Sequence, residues 1–205
     1  MNRWDIINGL IQKNNYKNYL EIGVQNPASN FDKINCQNKV GVEPKQKDWF
    51  RGTKPTFEGT SDEYFESIKD SDIKFDIVFI DGLHHDDQVL KDIENSLNHL
   101  SDNGTIVCHD CLPTTEKMQE RDDHGGEWTG DVWKAIAELR VERIDLDIKV
   151  VNTDYGCGII RRGTNIPYHP LTENYKTYSY FAINQWTMLN MIRPEKFIEW
   201  INTQS

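Results

Sequence analysis

The sequence predicts an α/β fold: a Rossmann-like, open and mostly parallel sheet with helices on both faces, a closing β-hairpin, and an aromatic-rich helical C-terminal tail. Three observations carry this. Short apolar runs alternate with segments of helical periodicity over the first 140 or so positions. Two of the runs, residues 75–80 and 105–108, are nearly continuous in apolar residues, as strands buried on both faces of a parallel sheet must be. Finally, residues 148–151 and 158–160 flank the turn-rich stretch 152–156 at hairpin spacing.

Each element has its own signal. Trp4, Ile7, Leu10 and Ile11 share one face of an opening helix. Tyr19-Leu20-Glu21-Ile22-Gly23-Val24 reads as a strand running into a turn, and Lys39-Val40-Gly41-Val42 as a second strand ended by Glu43-Pro44. Thr56-Phe57-Glu58 is a weak third. Thr60-Ser61-Asp62-Glu63 is a capping box, opening a helix that carries Phe65 and Ile68. After the fourth strand, Val89, Leu90, Ile93, Leu97 and Leu100 recur at helical spacing. Asp86 and Asp87 stand in that helix's first turn, where the dipole favours carboxylates. Ser101-Asp102-Asn103-Gly104 reads as a turn leading into the fifth strand, and Val132, Ile136 and Leu139 mark a further helix.

Residues 1–163 read as one unit, and residues 164–205 as a helical extension packed on the same domain. Arg193-Pro194 splits that extension into two helices, with Pro194 suited to a first helical position. Its aromatic residues, Tyr168 to Trp200, are read as packing onto the domain, with a lid or a homo-oligomer surface as the alternative.

Composition excludes several classes. The net charge is −10, with 23 Lys and Arg against 33 Asp and Glu and no basic run, which argues against a nucleic-acid partner. No apolar run nears the roughly 18 residues needed to span a bilayer, and the first residues lack a leader's apolar stretch, so the expectation is a cytoplasmic protein without a membrane partner. The four cysteines, including Cys108 and Cys111 across a strand end, are read as reduced thiols.

In an open α/β sheet, ligands bind beyond the carboxyl ends of the strands, where strand order reverses. The residues that follow each apolar run therefore matter most: Gly23, Glu43, Asp62, then Asp81-Gly82-Leu83-His84-His85, then His109-Asp110. A glycine after the first strand lets backbone approach a ligand closely. A carboxylate after the second can accept both hydroxyls of a ribose. Ser61 offers a further hydrogen bond beside Asp62.

These motifs resemble those of class I S-adenosylmethionine-dependent methyltransferases. The likeness lies in Tyr19-Leu-Glu-Ile-Gly23, Gly41-Val-Glu43-Pro, Phe75-Asp-Ile-Val-Phe-Ile-Asp81-Gly-Leu-His84 and Gly104-Thr-Ile-Val-Cys-His109-Asp110. More narrowly, the chain resembles the group with Asp-Gly-x-His after strand four and His-Asp after strand five. The resemblance implies S-adenosylmethionine as cofactor and a small polar acceptor, such as a sugar or natural-product hydroxyl. It puts Glu21 and Gly23 along the methionine portion, Glu43 at the ribose, Ser61 and Asp62 at the adenine, and Asp81 beside the sulfonium. Asp81, His84 and His109 become the catalytic candidates. The first motif keeps a single glycine, and Asn26 is the residue able to take a left-handed conformation in place of another.

Strands four and five are neighbours in such a sheet, so Asp81 and Asp110 face one another with His84 and His109 near. Two close carboxylates call for a proton, an imidazolium or a cation between them, and oxygen donors suit Mg²⁺ or Mn²⁺. His85 is read as a first-turn surface residue, His99 as a helix-surface residue, and His124 as part of a polar loop, residues 113–130, overhanging the cleft. The competing readings are a metal-dependent hydrolase built on Asp81, His84, His109 and Asp110, and a non-catalytic binding module on the same fold. A dinucleotide oxidoreductase is disfavoured, because GxGxxG is missing after the first strand.

Overall fold

The computed structural model describes residues 1–44, 52–164 and 166–203. Eight strands form one sheet: β1 (Asn18–Ile22), β2 (Asn38–Glu43), β3 (Phe57–Glu58), β4 (Phe75–Ile80), β5 (Leu100–Cys108), β6 (Leu146–Val151), β7 (Cys157–Arg162) and β8 (Met191–Ile192). The α-helices are α1 (Arg3–Asn14), α2 (Ser61–Ile68), α3 (Asp86–Asn98), α4 (Val132–Glu142), α5 (Tyr178–Met188) and α6 (Pro194–Thr203). Strand order is β3-β2-β1-β4-β5-β7-β6-β8. Pairings are parallel except those of β7, which runs antiparallel to both β5 and β6. The chain winds outward from β1 to β3, then returns to lay β4 on the other side of β1. The crevice at that reversal is where the site forms.

Alternate residues of the central strands feed two separate apolar layers, which explains why these strands read as unbroken apolar runs. Leu20, Val78, Ile80 and Ile106 pack with α2, α3, α4 and α5, whereas Tyr19, Ile77, Phe79 and Val107 pack with α1 and α6. The capping box forms as expected: Thr60 caps α2, and its hydroxyl accepts from the Glu63 backbone N–H at 3.2 Å. Asp86 and Asp87 occupy the first turn of α3. Pro194 is the first residue of α6.

Three expectations need correction. Residues 101–104 are not a turn before the fifth strand but lie inside β5. The register passes from Phe75↔Leu100 to Ile77↔Thr105, so the extra residues are taken up as a bulge along an otherwise continuous ladder. His99 is not on a helix surface. As the C-terminal cap of α3 it is 7% exposed, stacked on Phe65, with Nδ1 3.1 Å from the Ile73 carbonyl oxygen. The tail also contributes β8, which pairs with β6, while Phe181, Met188 and Phe197 are buried in the two layers. Among the described residues, no helix is long and apolar enough to cross a membrane.

Candidate active site

The strand ends open into one cleft of about 840 Å³. Nine of the residues singled out from the sequence line it: Glu21, Gly23, Glu43, Ser61, Asp62, Asp81, His84, His109 and Asp110.

At the reversal point Gly23 has φ +86°, and a Cβ there would lie 2.2 Å from the Asp81 carbonyl oxygen. Only glycine fits both the backbone and the space. The next residues depart from expectation. Asn26 is extended (φ −108°, ψ 103°), and its side chain accepts from the Ala28 N–H. The positive φ falls on Gln25 instead, at 41°. The cause is local: a residue before proline is pushed toward extended backbone, and Pro27 follows Asn26. Turning at Gln25 aims its N–H at Glu43 Oε2, 2.8 Å away.

Glu21 is 1% exposed. The Tyr19 hydroxyl donates to it, and Asn30 Nδ2 donates at 2.9 Å. Burial outweighs those bonds and pushes its carboxyl up to about 8. Beyond Glu43, at the first turn of α2, Asp62 accepts from Lys91 Nζ at 2.6 Å, which holds its carboxyl below the usual range. Gln88 Nε2 is shared among Ser61 Oγ, Asp62 Oδ1 and Asp92 Oδ1 at 3.3, 3.2 and 3.0 Å. Asp92, buried behind this group, is pushed up to about 6 by desolvation. Gln88 and Asp92 were not foreseen. They sit one helical turn apart on the face of α3 that meets α2, a spacing visible only once that packing is known.

The ends of β4 and β5 look different. His109 Nδ1 is 3.3 Å from Asp81 Oδ1 and 3.2 Å from Asp110 Oδ2, and His84 Nε2 is 3.4 and 3.5 Å from the same two oxygens. Burial would raise the Asp81 carboxyl, but the two imidazoles outweigh it and hold it well below the carboxylate range. Burial would likewise lower both imidazoles, yet the surrounding carboxylates raise them, His109 strongly. Asp110 adopts φ 59°, an uncommon conformation outside glycine. His84 Nδ1 and His109 Nδ1 are buried with no hydrogen-bond partner among the described residues. Asp81, His84 and Asp110 each offer a ligand atom, all within 4.8 Å of one another.

Two further groups reach this end from distant sequence. Arg3 and Asp154 lie behind His109, and Arg3 is the one Lys or Arg among the described residues lining the cleft. The loop after β5 supplies Trp128, whose ring stacks on His84 at 4.8 Å, and Glu127, which accepts from the Tyr155 hydroxyl at 2.6 Å. Gly130 closes the loop, with φ +57° and a Cβ position only 2.0 Å from the His84 carbonyl oxygen. Arg121 ties the loop to Asp86 and Asp87 in α3. His85 meets the Arg121 carbonyl oxygen at 3.1 Å and His124 pairs with Glu120, both away from the strand-end cluster.

Residues 31–111 match a family model described as a methyltransferase domain. The fold is shared with solved structures of low sequence identity. The O-methyltransferase from Bacillus cereus, determined in complex with SAH, is 16% identical with a TM-score of 0.59, covering 78% of this chain and 80% of that one. The SAH-bound methyltransferase PaMTH1 of Podospora anserina is 20% identical with a TM-score of 0.54, covering 75% and 74%. TomG, an O-methyltransferase of Streptomyces achromogenes solved with SAM, is 13% identical with a TM-score of 0.53, covering 77% and 78%. No curated protein matches the chain in sequence. The architecture is therefore the Rossmann-like α/β fold of these methyltransferases, with β8 at the β6 edge of the sheet.

Proposed function

We propose that this protein is an S-adenosylmethionine-dependent methyltransferase that transfers a methyl group to a hydroxyl of a small polar acceptor. The observation that carries the reading is the convergence of Gly23, Glu43, Ser61–Asp62, Asp81 and His109–Asp110, in strand order, on a single cleft at the sheet's reversal point. The methyltransferase-domain match over residues 31–111 supports it. Bound S-adenosylmethionine supplies a methyl group activated on a sulfonium.

The residues divide the work. Glu43 accepts the ribose hydroxyls in place of its present contact to the Gln25 N–H, and Ser61 with Asp62 borders the adenine. Glu21, whose burial favours the protonated form at neutral pH, becomes a counter-ion when a cationic group lies along Gly23. Asp81 stands between the two halves. The attacking hydroxyl must surrender one proton, and Asp81, His84 and His109 are the groups placed to take it. The surrounding carboxylates favour the protonated form of both imidazoles, His109 most strongly, so each serves as a base only after losing its proton. The donor set fits a divalent cation such as Mg²⁺ or Mn²⁺, which Asp81 and Asp110 with His84 would hold and which would lower the hydroxyl's pKa.

The acceptor end is lined by Trp128, Tyr155, Asp123 and Glu127, without a lysine or arginine among the described residues other than Arg3, which is paired with Asp154. This lining suits a neutral or cationic polyhydroxyl ring better than an anionic one. Calorimetry with S-adenosylmethionine is expected to show saturable micromolar binding, on the order of −8 kcal/mol. Absence of heat and of any thermal shift at millimolar cofactor would refute the reading.

A further inference from the structure

Hydrogen-bond polarity sets the acceptor end of the cleft apart from an ordinary polar surface. Among the described residues, three uncharged side chains there could donate to a ligand, and each has spent its hydrogen inside the protein. Trp128 Nε1 donates to the Glu120 carbonyl oxygen at 2.7 Å, and the Tyr155 hydroxyl to Glu127 Oε1 at 2.6 Å. The Thr129 hydroxyl donates to the Met118 carbonyl oxygen at 3.0 Å. Positive charge is withheld as well. Arg3 is paired with Asp154, and its Nε is buried. His84 and His109 keep to Asp81 and Asp110, each with a buried Nδ1.

Acceptors are what remain. The Tyr155 bond engages Oε1 of Glu127 and leaves Oε2 to a ligand, while Asp123 Oδ1 takes the Gly125 N–H at 2.7 Å and leaves Oδ2. The chain turns between these acids at Gly125 and Gly126, whose φ values are 82° and 96°, and both carboxylates line the cleft. The same polarity reaches deeper. Asn30 is 3% exposed and lines the cleft, and its Oδ1, again an acceptor, lacks a partner among the described residues. A ligand here has to bring donors. A phosphate or carboxylate brings acceptors and like charge, in a chain whose net charge is already −10. A neutral polyol supplies donors but leaves the two acids uncompensated. An ammonium carries three donors, no acceptor and the opposite charge.

We propose that the acceptor is a polyhydroxylated ring bearing a protonated amine, with the ammonium held by Glu127 and Asp123 and a hydroxyl presented to the strand-end cluster. The inference rests on the methyltransferase reading above and names its substrate class. Held between carboxylates, the amine keeps its proton. Its nitrogen then has no lone pair with which to attack a sulfonium, so it is a handle and the hydroxyl is the nucleophile. The oxygen–methyl bond forms as the sulfonium–methyl bond breaks, sulfur keeps the electron pair, and the hydroxyl proton passes to a strand-end base. Glu127 and Asp123 determine specificity and take no part in that step.

The test uses three probes built on one ring: glucosamine, glucose and glucose 6-phosphate. Each is titrated into the full chain at mildly acidic pH, where the amine is protonated, with and without saturating S-adenosylhomocysteine. Amide ¹H–¹⁵N shifts report binding. Glucosamine should bind about tenfold tighter than glucose and move the Gly126, Glu127 and Tyr155 amides, with the phosphate weakest. The double variant Glu127→Gln, Asp123→Asn keeps the shape of both side chains. It should bring glucosamine down to the affinity of glucose and leave glucose unchanged, a difference that mere distortion of the loop would not produce. Equal affinity for glucosamine and glucose, tighter binding of the phosphate, no glucosamine binding at tens of millimolar, or equal losses for both sugars in the variant would each overturn the proposal. Cofactor binding without amine preference overturns it and leaves the proposed function standing. Amine preference in a chain that does not bind S-adenosylhomocysteine supports the ammonium site and refutes the function instead.

Discussion

The two ends of the cleft are built on opposite principles. At the ends of β1, β2 and β3 most polar groups are paired with near neighbours: the Glu43 carboxylate accepts from the Gln25 N–H, Asp62 accepts from Lys91, and Gln88 bridges Ser61, Asp62 and Asp92, while Asn30 Oδ1 is left without a partner among the described residues. At the ends of β4 and β5, two carboxylates and two imidazoles crowd together at separations of 3.2–3.5 Å, and two buried ring nitrogens lack a hydrogen-bond partner among the described residues. The first end is preorganised by backbone and short-range bonds, as a recognition site should be. The second is held together by charge between two carboxylates and two imidazoles. Buried polar networks of that kind are costly when incompletely satisfied, which is a reason to read this end as chemical rather than structural.

The two ends meet at Gly23. Gly23→Ala places a methyl group against the Asp81 carbonyl oxygen and strains a φ of +86°. It should cost about 3 kcal/mol of stability and remove cofactor binding, because it displaces both ends at once. Retention of the parent melting temperature would show that the two ends are not locked together there.

Next in size is Glu43→Ala, which should leave the fold intact while weakening cofactor binding about 30- to 150-fold. That is the loss of roughly 2–3 kcal/mol expected for charge-assisted contacts to two hydroxyls. Equal affinity in a calorimetric titration would reduce Glu43 to a cap for the Gln25 turn.

The smallest effect lies behind the recognition end. The Asp92 carboxyl, pushed up to about 6 by burial, favours its proton in the folded state. Its contribution to stability is complete below the ordinary aspartate range near 4 and is lost as pH rises through about 6. The parent should therefore lose about 2 kcal/mol from this site between pH 4 and pH 7. Asp92→Asn should flatten that slope and come out about 1 kcal/mol more stable at pH 7.5 in denaturant melts. A variant with the parent's pH slope would mean that another group carries it.

Much of this was legible in the sequence, for identifiable reasons. The β4 and β5 apolar runs, the Thr60 capping box and the hairpin are local signals, and all formed where they were read. The strand-end set followed from the topology those strands imply. What was missed came from long range or from neighbours. Arg3 and Asp154 are 151 positions apart, and an aspartate in Asn152-Thr-Asp-Tyr-Gly looks like an ordinary turn residue. The topology did hold a clue, since a β7 antiparallel to β5 brings that turn beside His109. Asn26 is not the left-handed residue because Pro27 pushes it toward extended backbone. The two residues of β8 are too few to carry any periodicity.

The position a nucleoside takes in the cleft tests the proposed function most directly. A crystal structure of the chain with S-adenosylhomocysteine measures this in one experiment. The prediction is that both ribose hydroxyls lie on the Glu43 carboxylate, that adenine lies beside Ser61 and Asp62, and that the sulfur faces Asp81. A ligand bound elsewhere, with Glu43 still closed on the Gln25 N–H, would contradict it.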